Sequence, residues 1–307
     1  MAKAKKSKGK IIIAAVIVAA ALISALIPQS VWNGIFIKTG LKNPEFVSSP
    51  MTVHFVDVGQ GDCAVITTDR GETVLIDSGE EIKAQSVIDY LEKISVKKID
   101  YCIVTHPHSD HYGGMLKILR AVPAKRVVMP YLEKNIIPDD GYYDKLVSFA
   151  KSECKSISFV KSDCKINLKN AELQITVPIT QRTDLNNMSL VVKAVCGKVS
   201  FLITGDCSAE EERELLKAHD AADFRCNILK AGHHGSSTAS SDEWLNAASP
   251  DVCVISAGRY NSYNLPSTDF LETLEKRDIQ YYRTDICGTL VFDCEENATT
   301  LRTAQEE

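Results

Sequence analysis

The chain has 307 residues, enough for one large domain or two modest ones, and its 45% apolar content is ordinary for a globular core. The net charge of −5 is unevenly placed: residues 1–10 hold five lysines and no acid, so removing those five positive charges leaves −10 on the remainder. An acidic body of this kind argues against capture of nucleic acid by a broad basic face, and ten cysteines without a C-x-x-C pair argue against a zinc ribbon or thioredoxin-type site.

After the basic tail (1–10) no charged residue occurs until Lys38, and Ile11 to Ile27 is apolar except for Ser24. Seventeen such residues make a helix of roughly 25 Å, near the short end of a bilayer span. Residues 11–37 therefore read as a transmembrane anchor or signal segment, with Trp32 where a membrane interface would fall. The lysines would stay cytoplasmic, which places the rest outside the cell as a single-pass membrane protein, or as a secreted one if the segment is cleaved. Pro28, Gly34, Gly40 and Pro44 break any periodicity, and residues 38–50 read as a linker before a folded domain at 51–307.

The domain opens with strand patterns at 51–58, 63–68 and 72–77, then a helical pattern at about 81–94. A strand ending at Val104 follows, with a helix from Tyr112 to Ala121 beyond it. The polar stretch 122–170 contains a strand near Arg126 to Met129 and a helix near 141–153. Ser189 to Val195 and Val199 to Thr204 form a hairpin around Cys196-Gly197-Lys198. Helices are predicted at about 208–218, 240–247 and 266–276, and strands at 226–231, 251–256, 279–283 and 288–293. Two halves, each with several strands and helices, suit an α/β architecture of two sheets packed face to face with helices outside. Cys154 and Cys164 flank a short segment and could bridge in an oxidising compartment.

Histidine use is concentrated. His106, His108, Asp110 and His111 fall within six residues directly after an apolar strand, and this density of imidazole and carboxylate, the usual ligand set of a catalytic zinc, is best explained by a metal. Asp206 follows the strand Phe201 to Thr204, and His233-His234 follows the strand Asn227 to Lys230, so three strand ends finish in ligand types. Asp206 between two ions would bridge them, with a shared water as nucleophile. Of the histidine pair, His233 is assigned to metal and His234 to substrate contact or proton transfer.

Asp57-Val58-Gly59-Gln60-Gly61-Asp62-Cys63-Ala64 has the outline of a dinucleotide fingerprint, but the following segment is β-branched where the fingerprint needs a helix. It reads instead as a tight turn that lets Asp57 or Asp62 reach the site, and no nucleotide cofactor is expected. Asp77, at another strand end, is placed behind the ligands to orient a histidine. No G-x-S-x-G elbow and no phosphate-binding loop are present.

Together these residues resemble the metallo-β-lactamase fold, and more closely the hydrolase domain of the ComEC family of DNA-internalising competence proteins. The likeness rests on Phe55-Val56-Asp57-Val58-Gly59-Gln60-Gly61-Asp62, Asn186-Asn187-Met188-Ser189-Leu190-Val191, Thr204-Gly205-Asp206, Leu229-Lys230-Ala231-Gly232-His233-His234-Gly235-Ser236 and Arg283-Thr284-Asp285 through Gly288. It implies an αββα sandwich with a two-metal centre between the sheets, zinc or manganese as the ions, the first ion on His106, His108 and Asp206 and the second on Asp110, His111, Asp206 and His233. Asn186 and Ser189 stand where a third histidine would serve the first ion. Asp110, Asp62 and His234 are the residues implied for catalysis, and Asn186, Ser189, Ser236, Asn261 and Tyr263 for substrate contact. Leu265 stands where related domains commonly carry a histidine. The implied activity is metal-dependent hydrolysis of phosphate esters or phosphodiesters, DNA included. Choline phosphoesters, lactones, or a catalytically idle binding module of an exported assembly are the rival readings.

Overall fold

The central strands are buried along almost their whole length, so each sheet needs cover on both faces, and the fold supplies it. The computed structural model describes residues 49–303. The first sheet has the order β15-β14-β1-β2-β3-β4-β5-β6, where β1 is Met51–Phe55, β2 Ala64–Thr68, β3 Thr73–Ile76, β4 Ile99–Ile103, β5 Ala124–Pro130, β6 Ser156–Val160, β14 Leu290–Cys294 and β15 Thr299–Thr303. The second has the order β13-β12-β11-β10-β9-β8-β7, with β7 Cys164–Asn167, β8 Glu172–Thr176, β9 Val191–Cys196, β10 Val199–Ile203, β11 Ile228–Lys230, β12 Val252–Ile255 and β13 Gln280–Arg283. Both sheets are mixed: β3 to β6 and β10 to β13 run parallel, the rest antiparallel.

The sheets meet face to face over Phe55, Phe201 and Phe292, whose rings lie 5.6 to 6.4 Å apart, together with Val53, Ile66, Ile103, Val192 and Val254. Outside the first sheet, α1 (Ala84–Lys93), α3 (Met115–Ala121) and α4 (Tyr142–Glu153) bury Val87, Leu91, Ile118 and Leu146. Outside the second, α5 (Ala209–Ala218), α6 (Asp242–Ala248) and α7 (Thr268–Lys276) bury Leu215, Trp244 and Phe270. Two further single-turn helices, α2 (Ser109–Tyr112) and α8 (Thr284–Cys287), complete the set. This is the expected αββα sandwich.

Several expectations are revised. The helix expected over 112–121 starts only at Met115 as α3; Tyr112 ends α2, and Gly113-Gly114 separate the two where a side chain at Gly113 would lie 2.3 Å from Ser109 O. β6, β7, β8 and β15 were not foreseen; three of them are edge strands, where a half-exposed, partly charged sequence suffices. Cys154 and Cys164 are both free, as are the other eight cysteines. The segment read as a membrane anchor lies outside the described residues, among which no helix is long and apolar enough to cross a membrane.

Candidate metal centre

Parallel strands end together, and their carboxyl ends carry the cluster. β4 delivers Thr105 and His106, and α2 turns Asp110 and His111 back toward them. His106 is fully buried, its Nδ1 within 3.2 Å of both Thr105 Oγ1 and Ser189 Oγ, and its Nε2 3.1 Å from His108 Nδ1. His111, also fully buried, is held at Nδ1 by Asp77 Oδ2 at 2.8 Å and presents Nε2 to Asp206 Oδ1 at 3.1 Å. Asp77 sits in left-handed backbone at the end of β3 and accepts from Thr105 N (2.8 Å) and Thr105 Oγ1 (2.6 Å), so one threonine locks the carboxylate behind His111.

Two glycines let the backbone come close enough. Gly61 has φ +121°, and a Cβ there would lie 2.2 Å from Asp110 O; Asp62 N donates to the same carbonyl at 3.1 Å. Gly205 has φ +53° and lies against Thr105 and Ser189, which places Asp206 with its amide on Ser189 Oγ at 3.0 Å.

The last contribution is a turn. His233 and His234 both adopt left-handed backbone, φ 49° and 55°, a rare state for non-glycine residues. This geometry sends the two rings to different depths. His234 is 2% exposed and reaches Asp110 Oδ2 (3.1 Å) and Asp206 Oδ2 (3.5 Å) through Nε2, with Nδ1 on Ser256 O (3.1 Å) and Asp62 Oδ1 (3.2 Å). His233 is 30% exposed, with Nε2 3.7 Å from Asp206 Oδ2. Asp62, His111, Asp206 and His234 can bring one ligand atom each within 4.8 Å of one another, all buried. Within that set Asp62 is already paired with the buried Lys230, Nζ to Oδ2 2.6 Å, whereas the partly exposed Asp110 shares His234 Nε2 with Asp206.

The electrostatics fit a cation. Burial opposes charge on Asp206, yet His111 and His234 hold it well below the usual carboxylate range. Burial likewise opposes charge on His234, but Asp206, Asp110 and Asp62 raise it to about 9, and Asp206 with Asp77 raises His111 well above its ordinary value. His106 goes the other way, pushed well down by burial and by His111. His111 Nε2 and Asp206 Oδ1, though 3.1 Å apart, make no hydrogen bond and are buried. Two imidazoles and two carboxylates thus meet in a buried cluster whose donor atoms suit a divalent ion, for which metal and protons would compete.

The other candidates are placed less centrally. Asn186 is half-buried at the turn before Ser189, its Oδ1 buried without a hydrogen bond, while Asn187 accepts from Ser208. Ser236 pairs with Thr238 Oγ1 at 2.9 Å. Asn261 spends its amide on its own loop, donating to Gly258 O and Leu265 O and accepting from Tyr263 N and Leu265 N. Tyr263 is exposed on that loop. Asp57 is exposed and closes the turn by accepting from Gly59 N at 2.9 Å; it is not brought to the histidines. The turn itself joins antiparallel β1 and β2, as the sequence implies. Sequence reasoning missed Thr105, Ser256 and Lys230 as site residues; a lysine closing an otherwise apolar strand was the available signal for Lys230.

A family model described as the metallo-beta-lactamase superfamily matches residues 56–259. The chain is 30% identical over 267 residues to ComE operon protein 3 of Bacillus subtilis, covering 80% of this chain and 33% of that protein. It is 28% identical over 243 residues to Recombination protein 2 of Haemophilus influenzae, covering 77% and 28%, and 27% identical over 238 residues to Competence protein ComA of Neisseria gonorrhoeae, covering 77% and 31%. The chain spans about a third of the length of these relatives. Among solved structures, Tm1679, a metal-dependent hydrolase of the beta-lactamase superfamily, superposes with TM-score 0.50 at 17% identity over 82% of this chain and 99% of that one. CmlA, a diiron beta-hydroxylase from Streptomyces venezuelae, gives 0.53 at 15% over 81% and 55%. These two likenesses show the fold alone.

Proposed function

This chain belongs to the metallo-β-lactamase superfamily, and on that premise we propose that it is a metal-dependent hydrolase of phosphate esters or phosphodiesters, with DNA among the candidate substrates. The observation that carries the reading is the convergence of Asp62, His111, Asp206 and His234 on one buried point, with Asp110 Oδ2 3.1 Å from His234 Nε2 at its edge and His106 and His108 beside it. One divalent ion is assigned to His106, His108 and Asp206, and a second to Asp110, His111, Asp206 and His234. His233 and His234 therefore exchange the roles the sequence suggested: the deeper ring is the ligand, and the half-exposed His233 faces substrate or moves a proton at the rim.

When bound, a divalent pair lowers the pKa of water toward 7 and offsets charge on phosphoryl oxygens. The chain supplies the rest. Asp77 and Thr105 fix His111 with Nε2 inward, and Asp62, itself held by Lys230, does the same for His234, which makes Asp62 a positioning residue. Ser189 ties His106 to the Asp206 amide and stands with Asn186 on the side of the first ion. Names that tie the relatives to competence support DNA as a substrate, and the apolar segment 11–37 supports a membrane-tethered enzyme outside the cell.

The test is metal analysis of the purified protein with a substrate panel. We expect about two zinc or manganese ions per chain and cleavage of an activated aryl phosphodiester that a chelator abolishes and added metal restores. Single- and double-stranded DNA, a choline phosphoester and a lactone complete the panel. Full turnover by metal-stripped protein would refute the mechanism, and metal binding without turnover of any substrate would favour a binding module, the reading that Leu265 supports.

A further inference from the structure

Asp206 and the His233–His234 turn come from different segments, and a buried carboxylate joins them at a distance. Glu212 lies on α5, which starts three residues after Asp206, and it is fully buried. Its oxygens accept from two consecutive backbone amides, Ser240 N at 2.6 Å and Ser241 N at 2.9 Å. Ser240 passes the constraint on: its Oγ accepts from Gly232 N at 2.9 Å, the residue directly before His233. Ala209 N donates to Thr238 O at 2.9 Å, fastening the start of α5 to the same loop.

The loop needs such a clamp. His233, His234 and Ser240 all have left-handed backbone, φ 49°, 55° and 51°, and none is glycine. Each such residue is strained and persists only where its surroundings over-determine it. A buried carboxylate on two adjacent amides is a strong, directional acceptor, and it reaches the loop from the helix that directly follows Asp206 in the chain. Burial pushes the Glu212 carboxyl up to about 7 against the pull of these hydrogen bonds. An apolar side chain would fill the same volume more cheaply if packing were all that mattered.

We propose that Glu212 is a positioning residue of the metal centre: through Ser240 it sets the place of the His233–His234 turn relative to Asp206 and so sets cation affinity without touching a ligand. This rests on the metal-site reading above. It differs from a purely structural role, in which Glu212 would stabilise the fold and leave affinity alone.

The test measures zinc affinity of the full-length protein by competition with a chromophoric chelator, beside denaturant unfolding of the metal-free protein. Glu212→Gln keeps the volume but replaces one acceptor oxygen with a donor, and it should weaken zinc binding about tenfold, the range for groups that orient ligands. Ser240→Ala removes only the link to Gly232 and should act in the same direction. Asp100→Asn is the control: Asp100 is buried and accepts from Thr73 N at 3.1 Å, but it sits at the start of β4, the end remote from His106. That variant should lose stability and keep wild-type affinity. Wild-type affinity in Glu212→Gln overturns this inference alone, whereas a wild-type protein that binds no zinc overturns it together with the reading beneath it. If Glu212→Gln does not fold, Ser240→Ala decides by the same criterion.

Discussion

Replacing Lys230 with methionine puts the support of His234 to a quantitative test. Lys230 is 1% exposed, with Nζ 2.6 Å from Asp62 Oδ2 and donating to Ala231 O at 2.7 Å. At that separation two charges attract by roughly 6 kcal/mol at an effective dielectric of about 20. Desolvating both ions takes back most of this, so the intact pair is close to neutral for stability. Lys230→Met removes the attraction but leaves Asp62 buried and charged, an imbalance that costs about 3–5 kcal/mol. Adding Asp62→Asn in the methionine background removes the orphaned charge and should return at least about 2 kcal/mol of that loss. The assay is urea unfolding of the metal-free protein at pH 7 across the four-member cycle. A loss below about 1 kcal/mol for Lys230→Met, or an Asp62→Asn penalty unchanged by the background, would refute a buried ion pair beneath the centre.

Gly61→Ala forces a Cβ to within 2.2 Å of Asp110 O at φ +121°, so the variant should lose about 3 kcal/mol or more, read as a fall in melting temperature, and should weaken the proposed metal binding. Thr105→Val deletes the hydroxyl that donates to Asp77 and should cost about 1–3 kcal/mol by unfolding; unchanged stability would sink the lock assigned to Thr105. His54 is buried against Tyr90 OH, and burial lowers its pKa to about 3, so its neutral form supports the fold above pH 6.5 and that support is lost as pH falls from 6.5 toward 3. Between pH 7 and 5 the wild type should lose about 2 kcal/mol more than His54→Gln, and parallel pH profiles would contradict the assignment.

Much of the candidate site is readable in the sequence because its proposed ligands crowd at strand ends. The run from His106 to His111 follows four residues of buried strand, and Asp206 follows another, so periodicity alone places them at one edge. Depth is not readable in the same way. His233 and His234 are chemically identical neighbours, and only their left-handed backbone sends the second inward and leaves the first at the rim. Asp57 and Asp62 flank one glycine turn, yet Gly61 draws Asp62 against Asp110 while Asp57 turns on itself. Glu212 looks like one more acid on an amphipathic helix, since its role depends on amides nearly thirty residues away. Three of the four strands without a clear sequence signal share a cause: β6, β7 and β15 border the sheets, and their half-wet faces carry little apolar signal.

The ten cysteines have a practical bearing on handling. Seven are buried, including Cys63 and Cys207, whose thiols burial pushes well up, and none is cross-linked. Thiolate is the reactive form, so these seven sulfurs are inert while the domain stays folded. With no disulfide among the described residues, a reducing buffer should leave the unfolding midpoint unchanged. Native alkylation would stop at Cys154, Cys164 and Cys287, and labelling beyond those three gives a direct readout of unfolding.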